Sequence, residues 1–126
     1  MIDSRPVVLI VEDDQSIANL LRINLDLAGF KTILAMDGNQ AVELFNKNRV
    51  DLVLLDLMLP GKDGWEILAY INEKSNGLIP VVITSAKTQR ADLTKGFEMG
   101  IAYYITKPFD PEELVDRIKT ILKKSK

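Results

Sequence analysis

The stretch Val7-Val8-Leu9-Ile10-Val11-Glu12-Asp13-Asp14 decides the fold. Five aliphatic residues, mostly β-branched, run without polar alternation and then stop at three acids. A short continuous apolar run of this kind reads as a strand buried on both faces, which is the environment of a parallel sheet covered by helices. The run is far below the roughly 20 residues that a membrane span needs and lacks the length of a signal-peptide core. The acids then mark where the chain leaves the sheet and meets water.

Further short runs follow at Thr32–Ala35, Leu52–Leu55, Val81–Ile83 and Tyr103–Thr106, and stretches with helical spacing lie between them. Ile17, Leu20, Leu21, Leu27 and Ala28 are expected to share the core face of the first helix, which Gly29 ends. Ala41, Leu44 and Phe45 repeat the pattern after an Asp37-Gly38 turn, and Trp65, Leu68, Ala69 and Ile71 after Asp63-Gly64. Leu93 and Phe97 make a thin fourth stripe that Gly100 ends, on a helix whose propensity Thr94 and Gly96 lower. The fifth helix carries an N-cap at Asp110, Pro111 at its first position, Glu112 and Glu113 at the positive end of the dipole and Lys123 and Lys124 at the negative end. Its core face reads Leu114, Val115, Ile118, Ile121 and Leu122.

Five strands, each followed by a helix, give (βα)5: an α/β fold with a doubly wound five-stranded parallel sheet, in the flavodoxin-like order 2-1-3-4-5. Five repeats are too few to close an eight-stranded barrel. Residues 1–126 are expected to form one domain with its core at about 6–123, since no linker or low-complexity tract interrupts the pattern.

Composition narrows the chemistry. Hydrophobic residues make up 47% and charged ones 27%, and 16 Lys+Arg against 18 Asp+Glu leave a net charge of −2. Such a balance does not fit binding of nucleic acid through bulk charge, and nothing addresses the chain to a membrane; a cytoplasmic location is expected. The sequence has no Cys and no His, which excludes disulfide scaffolds, Cys/His zinc sites and Ser-His-Asp or thiol catalysis.

In a doubly wound sheet, ligands bind beyond the carboxyl ends of the strands. Glu12, Asp13 and Asp14 follow the first strand, Asp56 the third, Thr84 and Ser85 the fourth, and Thr106, Lys107 and Pro108 the fifth. Each has an ordinary structural reading: a helix cap for the acids, a solvated loop for Asp56, a surface turn for Lys107-Pro108 and a self-satisfied turn hydroxyl for Ser85. Together they exceed those needs. Packed carboxylates repel unless a cation joins them, and an oxygen-only donor set with open positions suits Mg²⁺, with Mn²⁺ the alternative. Four carboxylates, one Lys and one hydroxyl describe a site that handles a phosphoryl group, with a carboxylate as its nucleophile.

These residues resemble the receiver domain of two-component response regulators, from about Val7 to Leu122. The likeness is carried by Val8-Leu9-Ile10-Val11-Glu12-Asp13-Asp14, Asp51-Leu52-Val53-Leu54-Leu55-Asp56-Leu57-Met58-Leu59-Pro60-Gly61-Lys62-Asp63-Gly64, Pro80-Val81-Val82-Ile83-Thr84-Ser85-Ala86 and Tyr104-Ile105-Thr106-Lys107-Pro108-Phe109. The resemblance implies a phosphorelay protein, not an enzyme in its own right, that accepts a phosphoryl group from a sensor histidine kinase or phosphotransfer protein onto Asp56. It implies Mg²⁺ held by Asp13, Asp56, the backbone carbonyl of Met58 and Glu12, with Lys107 pairing the phosphoryl oxygens and Pro108 shaping the turn. Ser85 takes the place of the switch hydroxyl, favoured over Thr84 by its distance from Lys107, and Tyr104 that of the switch aromatic. Ser85 is expected to move toward the new oxygens and Tyr104 to turn into the vacated space. The surface of the fourth helix, fifth strand and fifth helix would then meet a downstream partner or output domain. Met58 and Lys87 stand where the family tunes loss of the phosphoryl group.

The tail from Ile105 to Val115 is similar to receivers of winged-helix regulators, which dimerise through that surface. Ala102 and Tyr103 replace two acids usual there and Leu93 a basic residue, whereas Glu113 and Arg117 remain, so Leu93, Phe97 and Tyr103 are read as an apolar patch instead. Monomer and phosphorylation-dependent dimer both stay open. A flavin-binding flavodoxin would want a hydroxyl- and glycine-rich loop where Glu12-Asp13-Asp14 stands, and a dehalogenase-type phosphatase an Asp-x-Asp after the first strand. The rival that remains is a receiver-shaped interaction module that is never phosphorylated.

Overall fold

The computed structural model describes residues 3–60, 63–86 and 89–124. Its elements alternate as β1 (Val7–Val11), α1 (Gln15–Leu27), β2 (Lys31–Ala35), α2 (Gly38–Lys47), β3 (Leu52–Asp56), α3 (Gly64–Ser75), β4 (Val81–Ser85), α4 (Arg90–Glu98), β5 (Tyr103–Thr106) and α5 (Pro111–Lys124). The strands form one five-stranded sheet in the order β2-β1-β3-β4-β5, all pairs parallel, as the aliphatic runs require.

The sheet separates two apolar layers. Leu9, Val11, Val53, Leu55, Val81 and Ile83 pack with Ala41, Ile67, Leu68 and Ile71 of α2 and α3. Val8, Ile10, Leu52, Leu54 and Val82 pack with Leu21 and Leu25 of α1 and Leu114, Val115 and Ile118 of α5. Every residue of β1, β3 and β4 is buried, and side-chain alternation deals successive residues to opposite layers. Removing so much aliphatic surface from water is the main drive for this arrangement.

Three of the expected helix faces need correction. On α1 the inward residues are Ala18, Leu21 and Leu25, whereas Leu20 and Leu27 are 45% and 83% exposed. On α3 Ile67 is buried and Ala69 exposed. On α4 Gly96 is the buried residue and Phe97 is 52% exposed. Leu93 packs partly against the core, as does Tyr103 on the other layer, so Phe97 alone of the three patch residues stands well out.

Helix starts follow one rule with one exception. Asp14, Asp37, Asp63 and Asp110 each accept a backbone N–H of the first turn, the capping that lets a short carboxylate satisfy orphan donors. Gln89 before α4 makes no side-chain cap bond among the described residues.

Gly64 fixes the loop beside β3. A Cβ there would stand 2.7 Å from Cα and 2.8 Å from the carbonyl oxygen of Leu57, so backbone and not a flexible side chain blocks it. Gly64→Ala is expected to cost about 1–3 kcal/mol, the usual range for overpacking. A urea midpoint equal to the parent's, at unchanged slope, would contradict this.

Candidate functional site

Four strand ends meet at the carboxyl edge of the sheet. The Glu12 N–H donates to the Ala35 carbonyl at 3.0 Å, extending the β1–β2 ladder past Val11 and pinning this acid where the apolar layer ends. Its side chain is almost fully buried. Oε1 accepts the Lys107 ammonium at 2.7 Å and Oε2 the Asp14 N–H at 3.2 Å. Asp14 itself turns to α1, with Oδ1 accepting from Ser16 N at 2.9 Å and Ile17 N at 3.2 Å. Of the three adjacent acids, this one is the cap. Asp13 faces outward over the site.

Asp56, at the end of β3, is buried at 4% exposure. Its Oδ1 accepts the Met58 N–H at 3.0 Å and its Oδ2 accepts Lys107 Nζ at 3.0 Å. Lys107 is held by its own backbone, whose N–H donates to the Ser85 carbonyl at 2.8 Å, and the Lys107–Pro108 peptide is cis. The lysine, just past the end of β5, therefore bridges Glu12, just past the end of β1, and Asp56 of β3.

Strand alternation separates Thr84 from Ser85. Thr84 is in register with Asp56 and phases with Val82, while Ser85 phases with Ile83 toward the layer that contains Tyr104. Ser85 and Tyr104 share a side-chain hydrogen bond, which opposes the rise that burial imposes on the phenol's pKa. Tyr104 is buried beside Ser85, at 7% exposure. Met58 is 57% exposed, its side chain at the mouth while its backbone is tied to Asp56. Lys87 lies outside the described residues.

The electrostatics are short of positive charge. Burial pushes the Glu12 carboxyl up to about 7; the Lys107 hydrogen bond opposes that rise and the charge of Asp56 adds to it. Burial disfavours the Lys107 ammonium, but its bonds to Glu12 and Asp56 outweigh this and raise its pKa. One oxygen each from Glu12, Asp13 and Asp56 lie within 4.8 Å of one another. Three carboxylates thus face one ammonium, and the donor set is all hard oxygen with one member open to water. That is the chemistry of a site for a small divalent cation with vacant positions.

Chain topology and site together define a doubly wound α/β protein with an acid-and-lysine site at the carboxyl edge of its sheet. Residues 8–119 match the response regulator receiver domain, and the chain belongs to that family. It is similar to the receiver domain of the Francisella response regulator 1452, at 35% identity and a TM-score of 0.89, over 97% of this chain and 100% of that one. It is also similar to the non-phosphorylated HemR receiver domain of Leptospira biflexa, at 30% identity and a TM-score of 0.88, over 94% of each. A CheY-like receiver domain protein of Methanospirillum hungatei JF-1 shares the fold, with 24% identity and a TM-score of 0.91 over 97% of each chain. Members are signalling domains that interact with histidine kinases or phosphotransfer proteins and bind Mg²⁺ at an acidic pocket. No described helix of this chain is long and apolar enough to cross a membrane.

The sequence pointed to Glu12, Asp13, Asp14, Asp56, Thr84, Ser85, Thr106, Lys107 and Pro108 at one edge; Glu12, Asp13, Asp56 and Lys107 do come together there, whereas Asp14 turns to the cap of α1 and Ser85 to Tyr104. It did not anticipate Glu12 as the shorter of the two Lys107 contacts, nor Gly64 as the support of Leu57. Only the Asp63-Gly64 turn hinted at the latter.

Proposed function

We propose that residues 1–126 work as a single receiver that takes a phosphoryl group onto Asp56 from a phosphohistidine of a sensor kinase or phosphotransfer protein. The observation that carries this is Asp56 itself: a buried carboxylate, one oxygen bound to Lys107 and the other to a backbone N–H. A carboxylate oxygen of Asp56 attacks phosphorus, the bond from phosphorus to the donor nitrogen breaks, and the freed imidazole keeps the electron pair and takes a proton from water. Lys107 is then 3.0 Å from the attacking group, placed to pair the phosphoryl oxygens.

Glu12, Asp13, Asp56 and the Met58 carbonyl would hold Mg²⁺, which supplies charge neutralisation to the phosphoryl oxygens when bound. The Ser85 hydroxyl, drawn to the added oxygens, changes its bond to Tyr104. That exchange biases two arrangements of the α4–β5–α5 surface, a population shift with no new fold, and presents it to a partner or output domain.

Intact mass after incubation with acetyl phosphate tests the reading: one phosphoryl group gained with Mg²⁺ and none in chelator. No gain under conditions where Mg²⁺ binds would move the assignment to an interaction module that is not phosphorylated.

Met58 offers no polar group to orient the water that removes the phosphoryl. Met58→Asn is expected to lose it faster by about two- to tenfold, the worth of one net hydrogen bond in the transition state. Equal decay of the two proteins, followed by mass after donor removal, would count against Met58 as a tuning position.

A further inference from the structure

Space, and not backbone conformation, calls for glycine at position 64. Gly64 lacks the positive φ found at Gly29, Gly77 and Gly100. It is the first residue of α3, after the Asp63 cap. A Cβ on it would stand 2.7 Å from Cα, 2.8 Å from the carbonyl oxygen and 3.1 Å from the carbonyl carbon of Leu57. That carbonyl shares one planar peptide unit with the Met58 nitrogen. The Met58 N–H is the group that donates to Asp56 Oδ1 at 3.0 Å. An atom added at Gly64 therefore presses on the very peptide that orients the Asp56 carboxylate.

Anchoring decides which side of this contact would yield. α3 buries Ile67, Leu68 and Ile71 almost completely. Its first turn is held by Asp63 Oδ1, which accepts the Trp65 N–H at 3.1 Å, and the Lys95 ammonium of α4 lies 4.5 Å from the centre of the Trp65 ring. Met58 is by contrast 57% exposed at the mouth of the site. The peptide resists twisting, so it moves as a body and takes its N–H along. Gly96 is a useful comparison. A Cβ there would stand 2.7 Å from Ile101 Cδ1, the far end of a side chain that can change rotamer.

We propose that Gly64 is a positioning residue for phosphoryl acceptance: by carrying no side chain, it lets the Leu57–Met58 peptide lie where its N–H aims the Asp56 carboxylate at phosphorus. The inference deepens the receiver reading and rests on it, whereas the hold of Gly64 on the Met58 N–H is a property of the chain without any donor. A carboxylate turned from that aim keeps its charge yet loses alignment with the bond that must break. Misplacement by about 1 Å costs about 100-fold in rate.

The test compares the parent with Gly64→Ala and Gly96→Ala, all in trimethylamine N-oxide so that less stable variants stay folded. Amide exchange followed by NMR, with neither phosphoryl donor nor metal, reads the hold on Asp56. Normalised to the β3 amides, the Met58 amide should exchange at least about fivefold faster in Gly64→Ala, the equilibrium factor of one net hydrogen bond. In Gly96→Ala it should exchange at the parental rate. Uptake from acetyl phosphate at saturating Mg²⁺ should fall by about 10- to 100-fold in Gly64→Ala and stay parental in Gly96→Ala. Both substitutions crowd a buried helix glycine, so equal losses in the two would trace the effect to lowered stability and overturn the positioning role. Parental Met58 exchange in Gly64→Ala, or faster exchange with parental uptake, overturns it too. So does a Gly64→Ala chain that fails to fold even in the osmolyte, since packing is then the whole role of this glycine. If the parent itself takes up no phosphoryl group, the receiver reading and the positioning role fall together, and the exchange measurement still decides whether Gly64 sets the Met58 N–H.

Discussion

Asp56→Asn is expected to take up no phosphoryl group from acetyl phosphate in the presence of Mg²⁺, a loss of more than about 100-fold in rate that intact mass would register as an unshifted peak. The amide is nearly the same shape as the carboxylate but is a poor nucleophile, because its nitrogen lone pair is delocalised and its oxygen carries no full charge. The variant should still fold. The amide oxygen that replaces the carboxylate can go on accepting the Met58 N–H, and Lys107 retains its 2.7 Å contact with Glu12. Replacing the charge also removes the repulsion between Asp56 and Glu12 in a site where both are buried. Thermal unfolding should therefore stay within about 1 kcal/mol of the parent or move upward. If the variant gained mass at the parental rate, the acceptor would be another carboxylate, with Asp13 the first to examine by peptide mapping.

How much of this was legible depended on which force decides each feature. The strands were visible because burial on both faces leaves an aliphatic run with nothing polar in it, and β3 and β4 then proved one or two residues longer, ending at Asp56 and Ser85. Helix faces were less visible. On α1, Leu20, Ile23 and Leu27 satisfy helical spacing as well as Leu21, Leu25 and Ala28 do, and only packing against β1, β2 and α5 selects the second set. Periodicity alone cannot choose between two apolar stripes on one cylinder. The site was legible as a set, since a charge at the end of a buried strand needs a reason beyond folding. The division of labour within Glu12-Asp13-Asp14 was not, because capping, pairing with Lys107 and facing solvent depend on backbone direction just past the strand. The Trp65–Lys95 stack was likewise invisible: its members lie on different helices, and no spacing rule connects them.

Lys107→Met is expected to show two separable losses. The first is chemical. Without the ammonium that lies 3.0 Å from Asp56, the phosphoryl oxygens lose one preorganised positive partner, and uptake from acetyl phosphate should fall by about 100- to 1000-fold, as removal of one such donor does in other transition states. The second is structural. Glu12 and Asp56, at 1% and 4% exposure, would be left without their shared cation. Breaking a fully buried pair costs about 3–5 kcal/mol. The lysine side chain keeps 18% of its exposure, so water reaches the site and about 1–3 kcal/mol is the expected loss. Since the carboxylates then lack any resident cation, Mg²⁺ should raise the melting temperature more in Lys107→Met than in the parent, because ligand binding to the folded state alone stabilises it by mass action. A parental Mg²⁺ shift in the variant would mean that Lys107 does not neutralise these acids at rest, and parental uptake would remove it from the phosphoryl site.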